Sequence, residues 1–233
     1  MADDMYHEKQ YLMHCAVHTL NNLFQEPWAT AALMEDIAKE LFDREAAMRE
    51  ESGMGRMWVN PYKSLVPQVG YYDINVLLEA LKLKTCHVSL HAVFNPKEPH
   101  AVSTAFEGFN AKPGTGVRGI VINRVSKSLL GGLYTSHHFY AIIPVNTAAK
   151  DPPDDSGGAA STKTMWYVVD SKNPGPEIIG TTSELALHLG MEARENQGHV
   201  FVVSDGEGDV GSAGAVEATE AEESGAADEI VAG

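Results

Sequence analysis

Two cysteines in 233 residues are too few for a disulfide framework, and the N-terminus shows neither the basic stretch nor the apolar core of a secretory signal. A reducing compartment is therefore expected: a cytoplasmic protein, with access to the nucleus left open. No run reaches the roughly 18 to 20 successive apolar residues that a membrane-crossing helix needs, so no transmembrane segment is expected. Cys-x-x-Cys does not occur, and "HEKQY" at His7 lacks the second histidine of the His-Glu-x-x-His zinc pattern. His14, Cys15 and His18 lie close together, but a metal site is not the expectation there.

Positive charge is also scarce. Against 32 acidic residues stand 17 Lys and Arg, for a net charge of −15. Much of that excess sits at one end, because Ser204 to Gly233 carry nine acids and no Lys or Arg. Taking that −9 away leaves −6, an ordinary value for a folded domain. Neither part offers the clustered cations that phosphate binding requires, so nucleic acid is not an expected partner.

The same 30 residues have no aromatic side chain and too little apolar area to offset the entropy of ordering them. They are expected to form a disordered acidic tail, 204–233, behind one domain over 1–203. "NTAAKDPPDDSGGAASTKT", 146–164, reads as a long flexible loop between two strand-like runs.

Helical periodicity is concentrated in the first 84 residues. Ala16, Leu20, Leu23 and Phe24, widened by Val17, make a stripe over Cys15 to Gln25. Thr30 can cap a second helix in which Leu33, Ile37, Leu41 and Met48 share a face. Asp73 can cap a third, "INVLLEALKL". Later the period becomes that of strands: "TCHVSLHAVF", "RGIVINRV", "HHFYAIIPV", "MWYVVDS" and "HVFVVS" are β-branched or aromatic runs bounded by turn residues. Thr182 to Leu189 is expected to add one short helix. Helices first and strands later, without βαβ alternation, predict an α+β domain on a mainly antiparallel sheet.

Cys15 stands at the start of the first helix, where unpaired N–H groups and the helix dipole favour a thiolate and should lower the thiol pKa. On position alone, a buried structural thiol is the favoured reading. His137 and His138 open a strand, and alternation sends them to opposite faces, so only one can serve the cleft. Asp170 ends the next strand. In a hairpin it can come alongside the histidines and fix an imidazole tautomer, or it can simply form the turn. Gln10, five residues before Cys15, could with the Cys15 N–H stabilise an oxyanion. Cys86 reads as a buried strand residue. His18 and Asn21 read as polar groups satisfied within helix packing.

"YHEKQ" followed by "CAVHTLNNLFQ" closely resembles the opening of Josephin-domain proteins, papain-like cysteine proteases that remove ubiquitin. The likeness continues through "YDINVLLEAL", "GIVINRV" and "YVVDSK…P…IG…SEL", covering roughly residues 5 to 203 in the manner of the short Josephin proteins. It implies a papain-like Josephin fold in which a helical subdomain with a helical arm packs on the sheet. It also implies a deubiquitinase with Cys15 as nucleophile, His138 as base, Asp170 as its orienter and Gln10 in the oxyanion hole. No metal or organic cofactor is implied. The partners implied are ubiquitin or polyubiquitin and ubiquitinated proteins, and a monomer is expected. The helix from Thr30 to Glu51 and "SGMGRMW" resemble the family's arm, with Trp58 available to hold a globular partner. Two other readings remain from the residues: a ubiquitin-binding module with little turnover, and a cysteine peptidase or amidase acting on something else.

Overall fold

The computed structural model describes residues 4–55, 57–64, 70–92, 116–127, 135–148, 162–195 and 198–205. Three helices come first: α1 (Cys15–Phe24), α2 (Ala31–Glu51) and α3 (Ile74–Leu83). Then follow β1 (Cys86–Ala92), β2 (Val117–Lys127), β3 (Thr135–Ala148), β4 (Thr162–Val169), β5 (Glu177–Gly180), α4 (Thr182–Glu195) and β6 (His199–Asp205). The strands form one antiparallel sheet in the order β1-β6-β2-β3-β4-β5. The expected α+β architecture is the one observed.

Local chemistry starts and stops the helices. Thr30 is extended and its side chain accepts from the Leu33 N–H, a cap worth about 1 kcal/mol. Asp73 does the same for α3 through the Asn75 N–H. The α1 helix ends where Gln25 turns left-handed at φ 58° and returns its N–H to Asn21. At the head of α4, the Glu184 carboxylate accepts from the N–H and the hydroxyl of Thr181, the Glu half of a Thr-x-x-Glu capping box.

Strand alternation divides the core in two. Val121, Phe139, Ala141, Ile143, Tyr167, Val169, Phe201 and Val203 face the layer built from α1, α2 and α3. Ile120, Ile122, Tyr140, Ile142, Trp166, Val200 and Val202 face α4 through Leu185, Leu189 and Ala193. The helix expected over Thr182 to Leu189 therefore continues to Glu195 and covers a whole sheet face, because its third apolar contact, Ala193, is too small to stand out in the sequence. Strand β5, "EIIG", was not expected. It is four residues long and two of them are exposed, so it lacks an apolar run.

Several boundaries need correction. The loop expected over 146–164 is shorter: Asn146, Thr147 and Ala148 pair with Thr164, Lys163 and Thr162, since backbone pairing in a hairpin tolerates polar side chains once the register is set. Its remainder, 149–161, lies outside the described residues. The tail does not begin at Ser204, because Ser204 and Asp205 continue β6 opposite His87 and Cys86; 206–233 lie outside the described residues. In α2 the buried face is Met34, Ile37, Ala38 and Leu41, while Met48 is exposed. The second half of that helix extends past the layer it packs on.

Close approach of α1 to the sheet depends on a missing side chain. A methyl at Gly119 in β2 would lie 2.6 Å from Leu23 Cδ1 and 2.7 Å from the Ile142 carbonyl oxygen. Gly119→Ala should therefore lower stability by about 1–3 kcal/mol through overpacking, read as a lower midpoint in thermal or urea unfolding. An unchanged midpoint would show that α1 is not seated as described.

Candidate active site

Cys15 is the first residue of α1 and is 6 % exposed. Its sulfur lies near the backbone N–H groups of Ala16 and of Phe139 in β3, both of which favour the thiolate. Burial pushes the thiol pKa up, and those N–H groups and the nearby Lys172 charge only partly offset the effect. The expectation of a lowered pKa is thus reversed: α1 does point its N-terminus at the sulfur, but desolvation outweighs it.

His138 and Asp170 form the best-defined polar contact of the region. His138 Nε2 lies 2.8 Å from Asp170 Oδ1 and 2.9 Å from Oδ2, with both residues 8 % exposed. A carboxylate can only accept, so Nε2 carries a proton. The other ring nitrogen, Nδ1, is buried and has no hydrogen-bond partner among the described residues. Burial raises the Asp170 pKa, but hydrogen bonds from His138 and the Lys172 N–H outweigh it, and the carboxyl stays below the usual carboxylate range.

Both roles considered for Asp170 are present together. Pairing of β3 with β4 ends at Ala141 opposite Val169, and the chain turns at Asp170. There the Lys172 N–H donates to Oδ1 at 2.9 Å and the Asn173 N–H to the Asp170 carbonyl at 3.0 Å. The turn aims the carboxylate back toward the strand end that holds the histidine. The neighbouring His137 goes elsewhere: Nδ1 lies 3.3 Å from Asn123 Oδ1 and the ring meets Tyr71 edge-on.

Gln10 is brought to the same place by its backbone, whose N–H donates to the Ser171 carbonyl at 2.8 Å. Its Nε2 donates to the Leu12 carbonyl at 2.7 Å, and Ser171 Oγ lies 3.4 Å from its Oε1. Gln10, Cys15, His138 and Asp170, spread over 160 residues of chain, are therefore assembled at one end of the sheet.

The remaining contacts of "YHEKQ" were not read from the sequence. His7 Nε2 donates to the Asp170 carbonyl at 2.9 Å. The Glu8 N–H donates to Asn22 Oδ1, and its carboxylate takes His18 Nδ1 at 2.9 Å and Asn21 Nδ2 at 2.7 Å. Because the Tyr11 N–H donates to His18 Nε2 at 3.1 Å, the His18 proton sits on Nδ1, toward Glu8. His18 and Asn21 are thus satisfied as expected, though by a separate segment rather than within the helix. A signal was present: polar side chains on the buried stretch of an apolar helix require partners. Behind His138, the Tyr140 ring stacks at 6.3 Å, with the Arg124 guanidinium over Tyr140 and paired to the buried Glu192. Cys86 is a buried free thiol of β1, as expected.

A helix that begins at a buried cysteine, set against a strand that supplies a histidine paired with a carboxylate, is the arrangement of papain-like cysteine proteases. The Josephin family model matches residues 10–204. The chain is 36 % identical over 202 residues to mouse Josephin-2, covering 85 % of each protein. It is 24 % identical to a Josephin-like protein of Drosophila melanogaster, covering 90 % of this chain and 77 % of that one. A Josephin-like protein of Arabidopsis thaliana is 28 % identical, and the match spans 44 % of that longer relative. The chain belongs to the Josephin family of papain-like, deubiquitinase-type cysteine proteases. None of the helices described is long and apolar enough to cross a membrane.

A raised thiol pKa leaves Cys15 neutral until the pH exceeds the ordinary range of free cysteine, roughly 8.5. Alkylation of Cys15 by iodoacetamide should accordingly be slow at pH 7 and still be accelerating above pH 9, followed by mass spectrometry of the modified peptide. A rate already level by pH 7 would contradict the dominance of burial.

Proposed function

We propose that this chain is a deubiquitinating cysteine protease that hydrolyses the bond between the C-terminal glycine of ubiquitin and an amine. Cys15 is its nucleophile, His138 its base, Asp170 the orienter of that base and Gln10 an oxyanion donor. The observation that carries the proposal is the His138 ring: Nε2 is held by Asp170 while the buried Nδ1 is left without a partner. A base committed on one nitrogen and open on the other is what a neutral thiol needs for activation.

In this scheme His138 Nδ1 takes the Cys15 proton as substrate arrives, and Asp170 stabilises the imidazolium. The thiolate adds to the glycine carbonyl, and the oxyanion is held by the Cys15 N–H and a Gln10 amide N–H. Collapse of the tetrahedral intermediate releases the lysine amine, which takes its proton from His138 and leaves a thioester. Water, giving a proton to His138, then hydrolyses the thioester and restores the thiol. The catalytic domain runs from the N-terminus to the end of β6, acts inside the cell and requires no metal or organic cofactor.

The globular part of ubiquitin has an apolar place to rest on this protein. Between the second half of α2 and the segment after it lies a groove of about 810 Å³, lined by Phe42, Ala46, Ala47, Met57 and Trp58, with Asp43 and Glu50 also bordering it. Trp58 lines this groove and is 84 % exposed, so its ring adds apolar surface that a docked globular protein could cover. This supports the reading of α2 as an arm beside the cleft.

One observation favours a second reading, a ubiquitin-binding module with little turnover: the Cys15 thiol is buried and its pKa raised. Ubiquitin carrying a C-terminal electrophile separates the two. The protease should form a covalent adduct that maps to Cys15 and should cleave di-ubiquitin; binding without adduct or cleavage would establish the module. Cleavage of an unrelated peptide, with ubiquitin substrates untouched, would establish a different peptidase.

Cys15→Ala and His138→Ala should each lower kcat/KM on a ubiquitin C-terminal amide by about 1,000-fold or more, whereas His137→Ala should cost less than about tenfold. Full activity in Cys15→Ala would overturn the whole scheme, and an equal loss in both histidine variants would remove the assignment of the base.

A further inference from the structure

The dipeptide Asp170–Ser171 holds two parts of the site. Its first residue fixes the imidazole of His138. We propose that its second, Ser171, is a positioning residue for Gln10, whose amide it holds together with the Leu12 carbonyl so that one N–H is left directed at the oxyanion. This rests on the proposed acyl-transfer chemistry at Cys15 but not on ubiquitin being the substrate.

A glutamine amide is ambiguous as an oxyanion donor, because a half-turn of its last torsion puts the carbonyl oxygen where the NH₂ should be and turns attraction into repulsion. The surroundings of Gln10 remove the ambiguity. The group 2.7 Å from the Leu12 carbonyl must be the NH₂, since a carbonyl has no proton to give. Oε1 then faces Ser171 Oγ, and the hydroxyl, which can either donate or accept, must donate. Two of the amide's directions are thereby set, and the second proton of Nε2 has no acceptor among the described residues. At 3.4 Å the serine contact is long for an O–H···O bond; catalytic hydrogen bonds commonly tighten when substrate loads.

The two groups that hold this amide are themselves held in place. Ser171 is 4 % exposed, and its carbonyl is tied to the Gln10 N–H, so the two residues contact each other through backbone and side chain alike. Leu12 presents its carbonyl from a left-handed conformation, φ 54°, that a leucine adopts only when held there. The holding is visible on both sides: the Tyr11 N–H is bound by His18, and the His14 N–H reaches the Tyr11 carbonyl at 3.4 Å. No other role for the buried Ser171 hydroxyl is apparent from its contacts.

The test compares two reactions of Cys15 in the full chain. Acylation by p-nitrophenyl acetate develops an oxyanion and needs no recognition of ubiquitin, whereas alkylation by iodoacetamide needs the thiolate but forms no oxyanion. Ser171→Ala should slow acylation about ten- to hundredfold while leaving the alkylation rate and its pH profile within about twofold of the parent. Ser171→Thr, which retains the hydroxyl, should recover most of the acylation rate. In a Gln10→Ala background, Ser171→Ala should have no further effect, because the group it positions is gone. On a ubiquitin C-terminal amide the loss should fall on kcat, with KM nearly unchanged. Three results would each overturn the proposal: acylation unaffected by Ser171→Ala, acylation and alkylation slowed equally, or full additivity with Gln10→Ala. Absence of any ubiquitin cleavage by the parent protein would overturn the deubiquitinase reading alone, since the acylation-to-alkylation comparison still decides the role of Ser171.

Discussion

The segment from Tyr6 to Tyr11 has no regular secondary structure, yet the site depends on its hydrogen bonds. Toward one side it is fastened to α1: Tyr6 exchanges backbone bonds with the Gln25 side chain, Glu8 takes His18 and Asn21, and the Tyr11 N–H meets His18. Toward the other it is fastened to the turn after β4, through His7 to the Asp170 carbonyl and Gln10 to the Ser171 carbonyl. The helix that carries Cys15 and the turn that carries Asp170 are thus registered to each other by a strip of chain lying between them. Burial of Glu8 raises its carboxyl pKa, but the bonds from His18 and Asn21 outweigh that and keep it ionised. Such a strip is rigid only while all its polar groups remain paired.

Burial in this site works for and against chemistry. It strengthens the His138–Asp170 contact by excluding water, and it also disfavours the thiolate form of Cys15. The resting form of Cys15 is consequently the neutral thiol. A buried neutral thiol also offers little to oxidants and stray electrophiles, which react with the exposed thiolate.

How much of this was legible in the sequence varied with the kind of interaction. Elements with strong periodicity or side-chain caps, α1, α2 and α3, were read nearly to the residue, and the long apolar strands were found as well. Missed were features whose signal lies in backbone pairing: the short edge strand β5, the hairpin extension over Asn146 to Ala148 and the last residue of β6, Asp205. Met48 was misplaced because periodicity identifies a face without showing how far along the helix a partner extends. Within the site, the side chains carrying distinctive chemistry could be named. Ser171 and His7 could not, because their bonds are made to residues about 160 positions away. The thiol pKa was misjudged for a related reason, since a helix start is local and visible whereas depth of burial is a property of the whole fold.

The order of strands has a consequence for how the molecule is made. Strands β2 to β5 are neighbours both in sequence and in the sheet, so their pairing can proceed as the chain leaves the ribosome. Strand β1 is different: among the described residues it lies at the edge and pairs only with β6, made more than a hundred residues later. During synthesis its edge has no partner, and neither does the β6-facing edge of β2. A nascent chain therefore carries two open strand edges until its final strand arrives, an aggregation hazard in any crowded cytosol. Completion of the sheet by residues 199–205 is the last event, and a truncation that removes β6 would leave both edges open even though every residue of the candidate site is present.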